Sequence, residues 1–131
     1  MKELITGVMK WADGKGIYDK STADKQMLLM IKELGETAEA IMLEDYKAAK
    51  MELGDVIVCY INWVKMSGKQ VFLQGFEGDY SFDPEISDLE VLEGIMGAMY
   101  ARSMIESAIA ALASRLGTTA EECLRMALAR S

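Results

Sequence analysis

Two short words in the sequence, ELGE at Glu33 to Glu36 and ELGD at Glu52 to Asp55, each hold two acids three residues apart with a leucine and a glycine between them. On an α-helix, residues at that spacing have Cβ atoms about 5–6 Å from one another, so each pair projects together and can share one cation. Acids beside a buried face must be solvated, paired or bound to a cation. The chain contains no histidine. That absence excludes Ser-His and Cys-His nucleophilic machinery, the facial triad of non-haem iron and the Glu-x-x-His half-motifs of di-iron bundles. With only oxygen donors on offer, hard Mg2+ is the matching ion and Mn2+ a substitute. A glycine inside a helix costs about 1 kcal/mol relative to alanine, so Gly35 and Gly54 call for a reason. Close approach of the two backbones, or room for a substrate, would supply one.

The elements that carry these words read as two helices joined by a short turn. Ser21 followed by Asp24 has the form of a capping box and predicts a helix from about Thr22 to Leu43, with Met27, Met30, Ile31, Leu34, Ala38 and Ile41 at spacings of three and four. Asp45 caps the next helix, from about Lys47 to Met66. Its run VIVCYINWV, Val56 to Val64, is apolar on most sides and predicts burial against several neighbours; VIVCYI alone also fits a strand. Folded as an antiparallel hairpin, the two helices set Glu36 and Glu52 eight residues from Glu44, and Glu33 and Asp55 eleven. All four acids then fall at matched heights, roughly 12 and 16 Å from the turn. Uncompensated, they repel; a divalent cation resolves the conflict. The alternative is a solvated acidic face with Lys32, Lys47 and Lys50 as partners, Lys32 and Glu36 forming an i,i+4 pair.

A first short helix is expected from about Glu3 to Ala12, ending in the turn DGKG at Asp13 to Gly16. From Gly68 to Ser87 the pattern breaks into three glycines, the lone Pro84 and four aromatics. This predicts a long loop that covers the core or contacts a partner, with an active-site lid as the sharper alternative. Ser87 followed by Glu90 opens a helix continuing through Leu92, Ile95, Met96, Met99, Ile105, Ile109 and Leu112 to Gly117, and Thr118 or Thr119 caps a last helix, EECLRMALAR. The expected fold is all-α: a single domain over residues 1–131, a bundle of four to five helices with an irregular loop at about 68–87.

Composition agrees. The 131 residues are 51% apolar with eleven methionines, enough for one substantial core. The net charge of −7 argues against a surface for nucleic-acid polymers or anionic membranes, yet admits a phosphate ligand if a cation sits between carboxylates and phosphate oxygens. No apolar run is long enough to span a membrane and MKELITGVMKW lacks a secretory core, so a cytoplasmic protein is expected. Cys59 and Cys123, far apart and in no metal-binding pattern, read as buried reduced thiols.

QMLLMIKELGETAEAI, Gln26 to Ile41, followed by KAAKMELGDVIV, Lys47 to Val58, resembles the ExxE and ExxD signature of the MazG-like all-α nucleoside triphosphate pyrophosphohydrolases. The likeness extends to WADGKG, Trp11 to Gly16, and to TAEECLRMA, Thr119 to Ala127. The resemblance implies hydrolysis of an NTP or dNTP to the monophosphate and pyrophosphate, with Mg2+ held by Glu33, Glu36, Glu52 and Asp55. It also implies a homodimer or homotetramer with the active site near a helical interface. A carboxylate-oriented water would attack the α-phosphorus in line. Glu36 is the favoured base-like residue; alternatively all four acids only ligate metal. Two positions depart from the family. Lys32 stands where relatives often carry a second glutamate, which bears on a second metal, and Lys15 stands where many carry arginine, which loses bidentate phosphate binding.

Candidate substrate contacts are Lys15, Gln26, Lys32, Asn62 and Trp11. Trp11 can stack on a base or serve core and interface. Gln26 can bond base or phosphate, or simply be solvated; Asn62 lies on the Glu52 and Asp55 side of its helix. The competing functional class is a non-catalytic assembly protein that uses the aromatic loop and Met-rich faces for partner binding, with a di-iron oxidase more remote.

Overall fold

The computed structural model describes residues 1–78, 80 and 83–131, and among these residues all regular secondary structure is helical, without strands. The elements are α1 (Lys2–Gly14), α2 (Ile17–Lys20), α3 (Ala23–Met42), α4 (Tyr46–Met66), α5 (Leu73–Phe76), α6 (Asp88–Ala101), α7 (Ile105–Arg115) and α8 (Ala120–Ala129).

Helix α4 is the axis of the molecule. Leu53, Val56, Ile57 and Ile61 have no exposed surface, and Tyr60, Trp63 and Val64 are nearly as buried, because α3, α8, α1 and α7 all pack on it. The apolar girth of VIVCYINWV is therefore that of a central helix, not of a strand. Asp45 caps α4 as expected, accepting from the Ala48 amide at 3.1 Å. The cap of α3 lies one residue later than the Ser21/Asp24 pattern suggests. Thr22, extended, accepts from the Lys25 amide at 3.1 Å, while the Ser21 hydroxyl is engaged by Gln26.

The α3–α4 turn contains no glycine, so Glu44 itself takes the left-handed conformation at φ 56°. The Asp45 and Glu44 amides then bond back to the carbonyls of Ala40 and Ile41, closing the end of α3. The result is the tight antiparallel hairpin that the acid spacing requires.

One expected helix is two. The chain leaves helical geometry between α6 and α7, where Arg102 and Met104 both have positive φ. The Ser103 amide closes α6 on the Ala98 carbonyl, and the Arg102 guanidinium donates to the Met99 carbonyl and lies 5.6 Å from the centre of the Trp63 ring. A straight helix from Ser87 to Gly117 would run roughly 45 Å and carry Ile105, Ile109 and Leu112 past the core. The corner folds them back into it, where all three are buried.

The segment from Gly68 to Ser87 is not structureless. It contains α5, buries Phe76 edge-on against Tyr60 (5.9 Å, 83°) and holds Tyr80 between the Gly75 carbonyl and the Ser114 hydroxyl. Glu106 of α7, itself buried, accepts from the Tyr60 hydroxyl at 2.5 Å and the Phe72 amide at 2.9 Å. The described part of this segment thus covers the core over α7. Asp79, Ser81 and Phe82, which the loop expectation included, lie outside the described residues.

The two motif glycines have different surroundings. A Cβ on Gly54 would stand 2.3 Å from the Cys123 carbonyl oxygen of α8, so this glycine lets α4 and α8 touch backbone to backbone. A Cβ on Gly35 would meet nothing. Neither mediates the approach of α3 to α4, which corrects the expectation from their matched heights.

Candidate metal and nucleotide site

The hairpin brings Glu33 and Glu36 of α3 and Glu52 of α4 together, with one carboxylate oxygen from each lying within 4.8 Å of the others. Asp55 does not join this trio in the structure. Its Oδ1 accepts from Arg130, at the end of α8, at 3.0 Å, and the same guanidinium reaches the Met51 carbonyl at 3.2 Å. The trio has unequal burial: the Glu33 side chain is 16% exposed and that of Glu36 39%. Glu52 Oε2 is buried with no hydrogen-bond partner. Such an orphaned carboxylate oxygen is costly unless a cation or proton meets it.

Electrostatics say the same. Burial, then the carboxyls of Glu36 and Glu33, push the Glu52 acid up to about 8. Glu33 is also raised, chiefly by burial. Glu36 is lowered, first through its bonding to Glu52 and Glu33 and less by Lys32. Three acids in this space share a proton when no cation is bound. An all-oxygen donor set with one orphaned atom fits a hard divalent ion, and Glu33, Glu36 and Glu52 would hold it.

One to two helical turns along the same faces lies a cleft of about 320 Å³. Gln26 and Leu29 continue the Glu33 and Glu36 stripe of α3, and Cys59 and Asn62 continue the Glu52 and Asp55 stripe of α4; Trp11, Lys15 and Gly16 from α1 and its end close the opposite wall. Four of the five sequence-predicted substrate contacts therefore share one cavity. The fifth, Lys32, does not line it. Lys32 is 63% exposed, with its ammonium 3.5 Å from Glu36 and 3.9 Å from Glu33, which is the i,i+4 pairing the acidic-face alternative foresaw. Lys47 and Lys50 make no ion pair with the trio among the described residues.

The cavity also contains groups that sequence reasoning passed over. Lys20 and Lys25 line it beside Lys15, giving a basic mouth to an acidic protein. Tyr18, on the single turn α2, donates its hydroxyl to Asn62 Oδ1 at 2.9 Å. Cys59 faces the same space, but burial, followed by the nearby charges of Glu33 and Asp55, pushes its thiol up to about 12, so it is an unreactive wall. Trp11 Nε1 is buried without a partner.

Residues 21–75 match the family model of the MazG nucleotide pyrophosphohydrolase domain. Over this segment the chain is similar to that domain. The matched segment runs from the cap of α3 through α4 to α5, so it holds both acid words, Gln26 and Asn62, and leaves Trp11 and Lys15 outside it. No curated protein and no solved structure matches the chain. The similarity points to nucleotide pyrophosphohydrolase chemistry in general. None of the described helices is long and apolar enough to cross a membrane.

Proposed function

We propose that the protein is a cytoplasmic Mg2+-dependent nucleoside triphosphate pyrophosphohydrolase, converting an NTP or dNTP and water to the monophosphate and pyrophosphate. The observation that carries this reading is the convergence of Glu33, Glu36 and Glu52 on one point, with an orphaned oxygen, one to two helical turns along the same two helices from a cleft of about 320 Å³. When bound, Mg2+, or Mn2+ in its place, supplies the positive charge that lets a polyphosphate lie against carboxylates.

The rest falls to the chain's own groups. Glu33, Glu36 and Glu52 would hold the cation, with Asp55 beside them on α4 and paired to Arg130. Glu36 has the most exposed carboxylate of the trio and is ionised at neutral pH, so it orients the attacking water and accepts its proton. Lys15, with Lys20 and Lys25 on the same rim, balances phosphate charge. Trp11, Gln26 and Asn62 enclose the nucleoside. Lys32 serves the trio by pairing with Glu36 when no cation is present, and meets a phosphate only at the outer edge.

The test is Mg2+-dependent release of pyrophosphate across a panel of canonical, deoxy and modified nucleotides. Glu36→Gln should reduce it by about 10²-fold or more, as loss of a general base does, with the helical circular dichroism unchanged. No release from any nucleotide would favour the non-catalytic assembly reading instead, which the exposed apolar groove between α3 and α6 would serve.

A further inference from the structure

Two amide side chains in the cleft are almost wholly buried, Asn62 at 1% exposed and Gln26 at 4%. Each has one end tied down. The Tyr18 hydroxyl donates to Asn62 Oδ1 at 2.9 Å, and Gln26 Nε2 donates to the Ser21 hydroxyl at 3.0 Å, whose own hydrogen points to the Thr22 carbonyl at 3.5 Å. The other ends, Asn62 Nδ2 and Gln26 Oε1, have no hydrogen-bond partner among the described residues and are not among the atoms sealed from solvent. Since both residues line the cleft, one hydrogen-bonding group of each amide is left for whatever enters it.

Their depth matches a nucleoside. Gln26 is seven residues from Glu33 and Asn62 seven from Asp55, roughly 10 Å along each helix. That is the reach from a phosphate at the acids to the pairing edge of its base. A ring that covers the two amides strips them of water. A base edge with a donor beside an acceptor replaces both lost bonds, and an apolar ring of the same shape replaces neither.

We propose that Asn62 and Gln26 read the hydrogen-bonding edge of the nucleobase, and that Tyr18 is a positioning residue which holds the Asn62 amide in place for this readout. The proposal rests on the nucleotide reading above and adds to it where the base lies and what orients its contacts. It also gives α2 a role: a four-residue helix begun at the left-handed Gly16 (φ 73°), whose Tyr18 hydroxyl reaches Asn62 of α4.

Binding of monophosphates tests this without requiring turnover. Calorimetry with dTMP and dAMP, and with their apolar isosteres carrying difluorotoluene and methylbenzimidazole, should show the better-bound natural nucleotide held about tenfold or more tighter than its isostere, because an unreplaced buried bond costs that much. Tyr18→Phe, which removes one oxygen and keeps the ring, should shrink this ratio severalfold by weakening the natural nucleotide while leaving isostere affinity unchanged. Asn62→Ala should shrink it further. Equal affinity for base and isostere, an unchanged ratio in Tyr18→Phe, or no binding of any nucleotide overturns the proposal. Pyrophosphate release is scored separately: selective binding without turnover defeats the hydrolase reading alone, and turnover without selectivity defeats the readout alone.

Discussion

At the scale of single residues, the decisive group is Glu52. Its carboxyl is pushed up from 4.5 to about 8, first by burial and then by Glu36 and Glu33. Between those two values the folded chain holds a proton that the unfolded chain has lost, so folding is favoured at the acid end and weakened as pH rises through the window. Without metal, thermal stability should therefore fall between about pH 5 and pH 8. A divalent ion replaces the shared proton and should remove that slope while releasing protons as it binds. Melting curves in EDTA and in Mg2+ across this range check both statements. A metal-free melting temperature that stays flat or rises with pH would show that the trio carries no excess proton. The meeting of Glu33, Glu36 and Glu52 was legible in the sequence, because three-residue spacing on a helix is a local fact. The pairing of Asp55 with Arg130 was not, since the two lie 75 residues apart and meet only because α8 packs on α4.

At the scale of elements, α4 and α8 were readable as helices, but the manner of their contact was not. A glycine in a helix announces a cost without naming the neighbour that justifies it. Gly54 is justified by the Cys123 carbonyl, which a Cβ would approach to 2.3 Å, whereas Gly35 looks onto open space. The same substitution should thus act in opposite directions at the two positions. Gly35→Ala should stabilise the fold by about 0.5–1 kcal/mol through helix propensity. Gly54→Ala should cost about 2–3 kcal/mol, because backbone, not a flexible side chain, has to move. Urea unfolding of the two variants gives both signs in one experiment, and equal effects would mean that α4 and α8 are farther apart than the structure has them. The corner between α6 and α7 escaped the sequence for a related reason. YARSM contains neither glycine nor proline, and the left-handed Arg102 and Met104 are sustained by tertiary contacts, among them the guanidinium over Trp63. Helix α2 escaped because one turn is too short to show any periodicity.

At the scale of the whole molecule, periodicity and capping made the all-α class and the central hairpin legible, while the groove left exposed on the surface forms only once α6 lies beside α3. Met27, Ile31, Leu34, Ala38, Leu92, Met96 and Tyr100 line an apolar groove of about 440 Å³ between α3 and α6. Ile31 is 53% exposed, Met96 59% and Tyr100 91%. A contiguous apolar surface of this kind on a small chain is the mark of an interface, and α6 itself is held mainly by α7. We propose that a second copy of the chain covers this groove, in keeping with the homodimer or homotetramer that the family resemblance implies. The acid trio lies on a different face of α3 from Ile31 and Ala38, so breaking the interface need not touch the metal ligands directly. Tyr100→Glu and Ile31→Glu each place a charge that would have to be buried without a partner. Sedimentation analysis should show the parent chain as a dimer or tetramer and either variant shifted towards monomer, with helical content unchanged. A monomeric parent, or variants that assemble as it does, would mean that the groove is covered by something other than this chain.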